Sequence, residues 1–505
     1  MKVSIYLAII ILLSKVIGFG RELVLANFYG VSNISDAYLI SLTITGAIFT
    51  FIGEGINANY IPIYNKISIQ ESEKSAETFT NNLITVLLFL CTILTLLGFF
   101  FAKELVGLFA SGFQEETSIL ATNFTKISFF GMYFILLFYV FTGYLQIKKN
   151  YLMPAIAGLA VGLVATISIY MSVYTSIYFL AIGTLVSVFA RFVILIPSIF
   201  KSNYNFKFIF KFKNENLKKM LFLSIPIIIG VSINQINVLV DRSIATHITI
   251  GGVSALSYAN ILTLLVHGVF IISIVTVIYP ILTKMVSVND FLGVKKIISD
   301  SMISISLIVL PATIIFILFS EQITKLIFGR GAFDSNAILL TSTALMFYAI
   351  GLIGIGQREF LTKVFYSMQD TKTPMFNSVI GLIINITLNI ILSQYIGLGG
   401  LALASSISAI VTSSLLLFSL RNKIGNLGIK NISFSFIKIL CSSLVMGLIA
   451  KLIFIGLHEH WNSVISLLIA ILIAMLTYCL MIYLFKIKEV DVFVELIKRK
   501  RQKVV

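Results

Sequence analysis

Apolar runs of about twenty or more residues recur along this chain of 505 residues, and no other feature constrains its fold as tightly. A helix of that length just crosses the hydrocarbon of a bilayer. In such a solvent only helices and closed barrels satisfy their own backbone polar groups. The runs fall near 3–28, 37–63, 79–101, 121–146, 153–172, 177–199, 220–247, 254–282, 299–320, 337–366, 374–394, 399–420, 433–456 and 463–486. They predict an all-α membrane protein of about fourteen transmembrane helices. Ser172-Val173-Tyr174-Thr175-Ser176 is read as a break between two spans.

Composition agrees. The chain is 58% hydrophobic and 11% charged, against about 25% charged in soluble domains. Its net charge of +16 would suit nucleic acid, but the basic residues are not clustered for that. They sit in alternate loops, as topology signals do. Lys66, Lys148, Lys149, Lys284, Lys372 and Arg421 fall on one side, together with the Lys-rich segment 201–219; the other side holds only Lys103, Lys325 and Arg330. The asymmetry predicts an even number of spans with both termini cytoplasmic. The tail Lys498-Arg499-Lys500-Arg501 reads as a topology anchor beside membrane lipid. Met1-Lys2 opens an apolar run with no small-residue cleavage site, so a retained first helix is expected. Cys91, Cys441 and Cys479 have neither metal nor redox spacing and are expected to pack as small apolar side chains. His458 and His460 form only a His-x-His pair, which is weak as a metal site.

An internal repeat sets the domain organisation. Pro62-Ile63-Tyr64-Asn65-Lys66 closes the second span and Pro280-Ile281-Leu282-Thr283-Lys284 closes the eighth. Tyr144-Leu145-Gln146 runs into Pro154, and Tyr366-Ser367-Met368-Gln369 runs into Pro374. The copies lie about six spans apart in the same orientation. They predict a six-helix lobe at 1–200, a basic cytoplasmic linker at 201–219 and a second six-helix lobe at 220–431. Two additional helices and the basic tail occupy 432–505. Parallel lobes around a central cavity are a transporter plan, worked by rocking one lobe against the other.

Charge inside the spans points to that cavity. Each buried ionisable group costs roughly 2.5–3.5 kcal/mol on insertion scales, so such groups face a bundle interior or water. Ser14, Lys15, Gly18, Arg21 and Glu22 share about a third of one helix circumference. In the second span Asp36, Thr43, Gly46, Thr50, Glu54 and Asn57 share about a quarter. In the seventh, Gly230, Asn234, Asn237 and Asp241 line one face with Arg242 beside it, and Asn260 and His267 share a face of the eighth. The substrate-binding candidates are therefore Lys15, Arg21, Glu22, Asp36, Glu54, Asn57, Asp241 and Arg242. No catalytic constellation, metal cluster or cofactor motif accompanies them, and coupling to an ion or the membrane potential is the only accessory expected.

These stretches carry a resemblance. Ser14 to Glu22, Ser35-Asp36-Ala37-Tyr38, and Gly53-Glu54-Gly55 through Tyr60-Ile61-Pro62 resemble the opening of the MurJ/MviN family. Phe365 to Pro374 and Gly397-Leu398-Gly399-Gly400-Leu401-Ala402-Leu403-Ala404 are similar to later family motifs. The resemblance covers about residues 10–425. It implies a lipid II flippase of the multidrug/oligosaccharidyl-lipid/polysaccharide exporter superfamily in the bacterial plasma membrane. Such a protein carries undecaprenyl-diphosphate-linked peptidoglycan precursor from the inner to the outer leaflet. By matched position, Arg21 would face the headgroup, Lys15 stands where the family has arginine, and Asp36 and Glu54 match acidic positions. The chain departs at Phe49 and Ile261, where the family carries cavity arginines; an apolar side chain cannot grip a diphosphate.

The resemblance implies a lipid-linked oligosaccharide as substrate and cell-wall synthesis proteins as partners. Four other readings remain. Two are a flippase for another undecaprenyl-linked polysaccharide and a drug/cation antiporter of the same superfamily. A membrane-embedded enzyme needs a soluble loop or acidic cluster that the short loops lack. A scaffold in a wall-synthesis complex would tolerate loss of Arg21 and Glu54.

Overall fold

The computed structural model describes residues 2–485, which form helices joined by short turns, apart from the irregular segment 202–214, with no strand among them. The basic run at 498–501 lies outside the described residues. From the start of the chain, α1 (Lys2–Tyr29), α2 (Asn33–Gln70), α3 (Glu73–Phe100), α4 (Ala102–Phe109), α5 (Glu115–Phe129), α6 (Gly131–Ile147), α7 (Leu152–Tyr174), α8 (Phe179–Val193) and α9 (Ile196–Lys201) follow one another. They are succeeded by α10 (Glu215–Ile248), α11 (Gly252–Val266), α12 (Ile272–Ser287), α13 (Phe291–Leu318), α14 (Ser320–Phe328), α15 (Ser335–Ser367), α16 (Lys372–Ile396), α17 (Leu398–Ile424), α18 (Ile429–His458) and α19 (Ser463–Leu484). Among the described residues thirteen helical stretches from Asn33 onward are long and apolar enough to cross a membrane. With the 28-residue α1 they account for the runs read from the sequence. The expected break stands between Tyr174 and Phe179.

Helix starts follow local chemistry. Ser32, Ser72, Asn214 and Asn462 each accept a backbone N–H of the turn they precede, filling a donor that the helix cannot satisfy itself. The expected eighth span, Gly252–Ser287, is a single stretch interrupted by a π turn at His267–Ile271. There one extra residue per turn rotates every later side chain relative to the earlier ones. The fourth span divides at Phe130 into α5 and α6.

The repeated motifs build the same turn twice. Lys149 and Gln369 both adopt positive φ, at 61° and 59°. The next residue then donates back over the helix end, Asn150 N to Leu145 O at 2.8 Å and Asp370 N to Phe365 O at 3.0 Å. This is the Schellman closure of a helix C-terminus. Asn150 and Asp370 then accept the N–H of Met153 and of Thr373, so each also starts the next helix. Elsewhere too the order recurs. The 28-residue helices α3 and α13 each lead, through Phe101 and Phe319, into a short helix, α4 or α14. Pro62 and Pro280 lie inside helices that run on to Gln70 and Ser287.

The second of these turns yields a pH prediction. Partial burial pushes the Asp370 carboxyl up, but hydrogen bonds from Lys423 Nζ and from the Thr373 N–H and hydroxyl outweigh it and hold the pKa down to about 2. A depressed carboxyl stabilises the fold above its unfolded value near 3.8, and that stabilisation disappears as pH falls towards 2. Asp370→Asn is expected to cost about 0.5–1 kcal/mol at pH 7, small because solvent screens the pair. Thermal midpoints of the two proteins should converge as the pH is lowered to about 2; a gap persisting there would exclude the carboxylate as its cause.

The chain divides into two compact units, one running to Ser254 and including Arg330–Ala337, the other Ala255–Gly329 with Ile338 onward. In the first, α2 packs against α5, α6 and α10, and α7 against α1 and α8. Its core is aromatic, with Tyr60, Tyr64, Phe79, Tyr144 and Tyr204 in mutual contact and Tyr60 Oη 2.8 Å from Thr80 Oγ1. In the second, α16 packs on α17 and α18 on both α13 and α19, around Ile271, Ile298, Ile305, Phe360, Phe365 and Leu416. Cys91 is buried as expected, whereas Cys441 and Cys479 are exposed. Their helices, α18 and α19, are apolar on outward faces too, as a lipid-facing surface allows.

Candidate functional site

In α1 the charged stripe is broken up by its neighbours. Arg21 and Glu22 form an ion pair, with Arg21 Nε 3.1 Å from Glu22 Oε1 and an Nη2 contact to the same oxygen. The Glu22 side chain is 9% exposed and that of Arg21 28%. The other carboxylate oxygen, Oε2, is buried with no hydrogen-bond partner. Arg21 is also within electrostatic reach of Tyr38 on α2, whose hydroxyl lies 2.9 Å from Thr184 Oγ1 on α8. The pair thus looks onto a junction of three helices. Lys15 is exposed on the same helix.

A second group gathers where α2 begins and α10 ends. Asp36 is 1% exposed and accepts both the N–H of Ser254 at 2.8 Å and its hydroxyl at 2.7 Å. Its carboxylate therefore caps the first turn of α11, where free N–H groups and the helix dipole favour negative charge. One turn along α2, the backbone oxygen of Leu39 and the Thr43 hydroxyl both accept from Arg242 Nη1, the former at 2.8 Å. Asp241 is buried beside it at 9% exposure, and it too has an interaction partner. Ser111 Oγ lies 2.9 Å from His247 Nε2, and Gly112 N donates to Thr246 Oγ1 at 3.2 Å. A cavity of about 190 Å³ opens among Asn33, Asp36, Gly112, Gln114, Thr246 and His247. Asp36, Arg242, Thr246 and His247 each bond a neighbouring helix or turn, so the cluster ties helix ends together.

Glu54 and Asn57 stand apart from both groups. Glu54 is 18 residues beyond Asp36, roughly 27 Å along α2 at 1.5 Å per residue. It is half-buried and Asn57 is exposed. Gly53 on α2 lies against the ring of Tyr139 on α6, so closely that a Cβ there would fall 2.3 Å from it. Phe49, one turn away, is 7% exposed and packed edge-on against Phe129. Ile261 is half-buried and Asn260 exposed. The eight candidates therefore form three separate groups with Lys15 alone.

Two arginines deep inside the spans were not among the candidates. Arg191 lies within the apolar stretch Phe179–Lys201, and Arg358 within Ser335–Ser367. Their signal is the one that marks Arg21, a charge within an apolar run. Arg191 lies in no polar stripe with other charges, so a reading by helix face passes over it, whereas Arg358 has Glu359 and Lys363 close by on the same helix.

Comparison with known proteins agrees with this architecture. A family model described as lipid II flippase MurJ matches residues 25–473. The lipid II flippase MurJ of Thermosipho africanus is 29% identical over 483 residues, covering 95% of this chain and 96% of that protein. A solved structure of lipid II flippase MurJ in an inward closed conformation superposes with a TM-score of 0.83 and 28% identity, covering 95% of this chain and 98% of its own. A multidrug resistance MATE family transporter in an inward-facing conformation, 14% identical with a TM-score of 0.72, covers 82% of this chain and 95% of its own. That last likeness is one of fold.

Proposed function

This chain belongs to the MurJ lipid II flippase family, and from that premise we propose that it flips lipid II across the bacterial plasma membrane. It is a multi-pass membrane protein, and in this reading both termini are cytoplasmic, as the loop lysines favour. A diphosphate glycolipid cannot cross hydrocarbon unaided, because its charges would be stripped of water without compensation. A polar path through the bundle accepts the headgroup while the polyprenyl tail stays in lipid. The two six-helix halves open it alternately to each leaflet. Arg21 and Lys15 attract the headgroup; Glu22, Glu54 and Asn57 keep it from being held too tightly. Asp36, Asp241 and Arg242 hold one end of the path closed through their contacts around α2 and α10.

The observation that carries this reading is the family match across residues 25–473, joined to charged side chains inside membrane-spanning helices. Phe49, buried against Phe129, favours a second reading in which the glycan differs from that of lipid II, since no guanidinium is present there. Purified protein in liposomes separates the two in a leaflet-accessibility assay. Lipid II is supplied to one sample and an undecaprenyl-diphosphate oligosaccharide to another. Movement of lipid II is expected. Movement of the oligosaccharide alone would replace the substrate, and movement of neither would remove the flippase reading and bring cation efflux forward.

A further inference from the structure

Helix α8 has two unlike faces. Ile182, Val186, Phe189 and Val193 are exposed and share one side of the helix. Thr184, Ser187 and Arg191 share the opposite side, where Ser187 is buried and Thr184 bonds Tyr38. Arg191 is therefore turned into the first unit, within a membrane-spanning stretch. Its guanidinium carbon lies 3.7 Å from the centre of the Phe138 ring. Stacking of this kind uses the face of the guanidinium and leaves its edge N–H donors available. The Arg191 Nε is buried without a hydrogen-bond partner, and no carboxylate pairs with this arginine among the described residues.

The neighbouring residue on α6, Tyr139, is in electrostatic reach of both Arg191 and Glu54. The contact of its ring with Gly53 brings α2 alongside. Tyr139 thus stands between the Arg191 of α8 and the Glu54 of α2, and no ion pair joins those two charges among the described residues. Arg21 differs, being neutralised by Glu22. A bare guanidinium inside a membrane bundle is costly and marks a place where an anion or water is received.

We propose that Arg191, held flat by Phe138 and flanked by Tyr139, is an anion-binding subsite for the diphosphate of a polyprenyl-linked substrate, with Glu54 as the counter-charge that lets it go. The inference rests on the flippase reading and adds to it a residue that makes the diphosphate contact. Arginine suits the task because its fork of donors matches two phosphate oxygens at once.

The test compares undecaprenyl diphosphate with undecaprenyl monophosphate, each titrated onto the full chain in nanodiscs. Wild type is expected to prefer the diphosphate. Arg191→Gln is expected to weaken diphosphate binding about tenfold, the equivalent of one charge-assisted hydrogen bond, and to weaken the less highly charged monophosphate by a smaller factor, with the thermal midpoint unchanged. Arg191→Lys should restore part of the preference, since it keeps the charge and loses the fork. A purely structural arginine would lower both affinities by the same factor and the thermal midpoint with them, and that result overturns the proposal. So does an unaltered preference in Arg191→Gln while wild type still flips lipid II, an outcome that leaves the flippase reading standing. Wild type that binds neither lipid removes both.

Discussion

Arg21→Ala is expected to lower the stability of the folded protein by roughly 2–4 kcal/mol as well as to abolish transport. Its partner Glu22 is 9% exposed at the side chain, and one of that carboxylate's oxygens already lacks a hydrogen bond. Taking away the guanidinium leaves a buried charge with no compensation, which costs more than the intact pair contributes. The figure sits below that of a fully buried pair because Arg21 remains 28% exposed. The double variant Arg21→Gln/Glu22→Gln removes both charges and should recover most of the loss, since two amides can bond each other. Thermal unfolding in detergent measures both. An unchanged midpoint in Arg21→Ala would mean the pair is not structural. The double variant also makes transport interpretable: if it is stable and does not flip substrate, the arginine meets the headgroup.

The second large effect is expected at Gly30, in the turn between α1 and α2. Its φ is +54°, in the left-handed region that disfavours any side chain. A Cβ there would lie 2.3 Å from the backbone oxygen of Ala332 and 2.9 Å from its carbonyl carbon. Neither is the end of a flexible side chain, so the segment itself must move. Two contacts hold that segment in place. Ala332 N donates to Asn27 O at 2.8 Å, and Gly331 is pressed so closely on the same oxygen that a Cβ there would fall 2.2 Å from it. Left-handed strain and a backbone collision together should cost Gly30→Ala roughly 2–4 kcal/mol. Gly107 in α4 is the control, since a Cβ there meets nothing within 4 Å. Gly107→Ala should be neutral or stabilising by about 0.5–1 kcal/mol, because alanine loses less conformational entropy than glycine on entering a helix. Equal thermal midpoints for the two variants would show that the segment at Ala332 yields without cost.

Much of the architecture was legible in the chain. Apolar runs of spanning length mark the helices, and the paired motifs at Tyr144 and Tyr366 announce turns that close in the same way, at Lys149 and at Gln369. The site was legible only in part. The stripe rule selected Asp36 and Glu54 together because both fall on one face of α2. A face says nothing about depth along a 38-residue helix, and the two residues meet different neighbours. Asp36 meets the start of α11, while Glu54 lies near Tyr139. Arg191 shows the opposite failure, a lone charge whose company comes entirely from other helices.

By itself the sequence determined the solvent of this protein, its helical class and the recurrence of its elements. Those properties follow from hydrophobicity and backbone hydrogen bonding, which act within single segments. Tertiary structure alone decided which charges are neutralised and which remain. Arg21 is paired with Glu22, Arg242 is bonded to Leu39 and Thr43, and Arg191 rests on Phe138 with its Nε unsatisfied. Arg21 finds its partner at the next residue, but the surroundings of Arg242 and Arg191 come from groups distant in the chain, over distances of a few ångströms that no periodicity records.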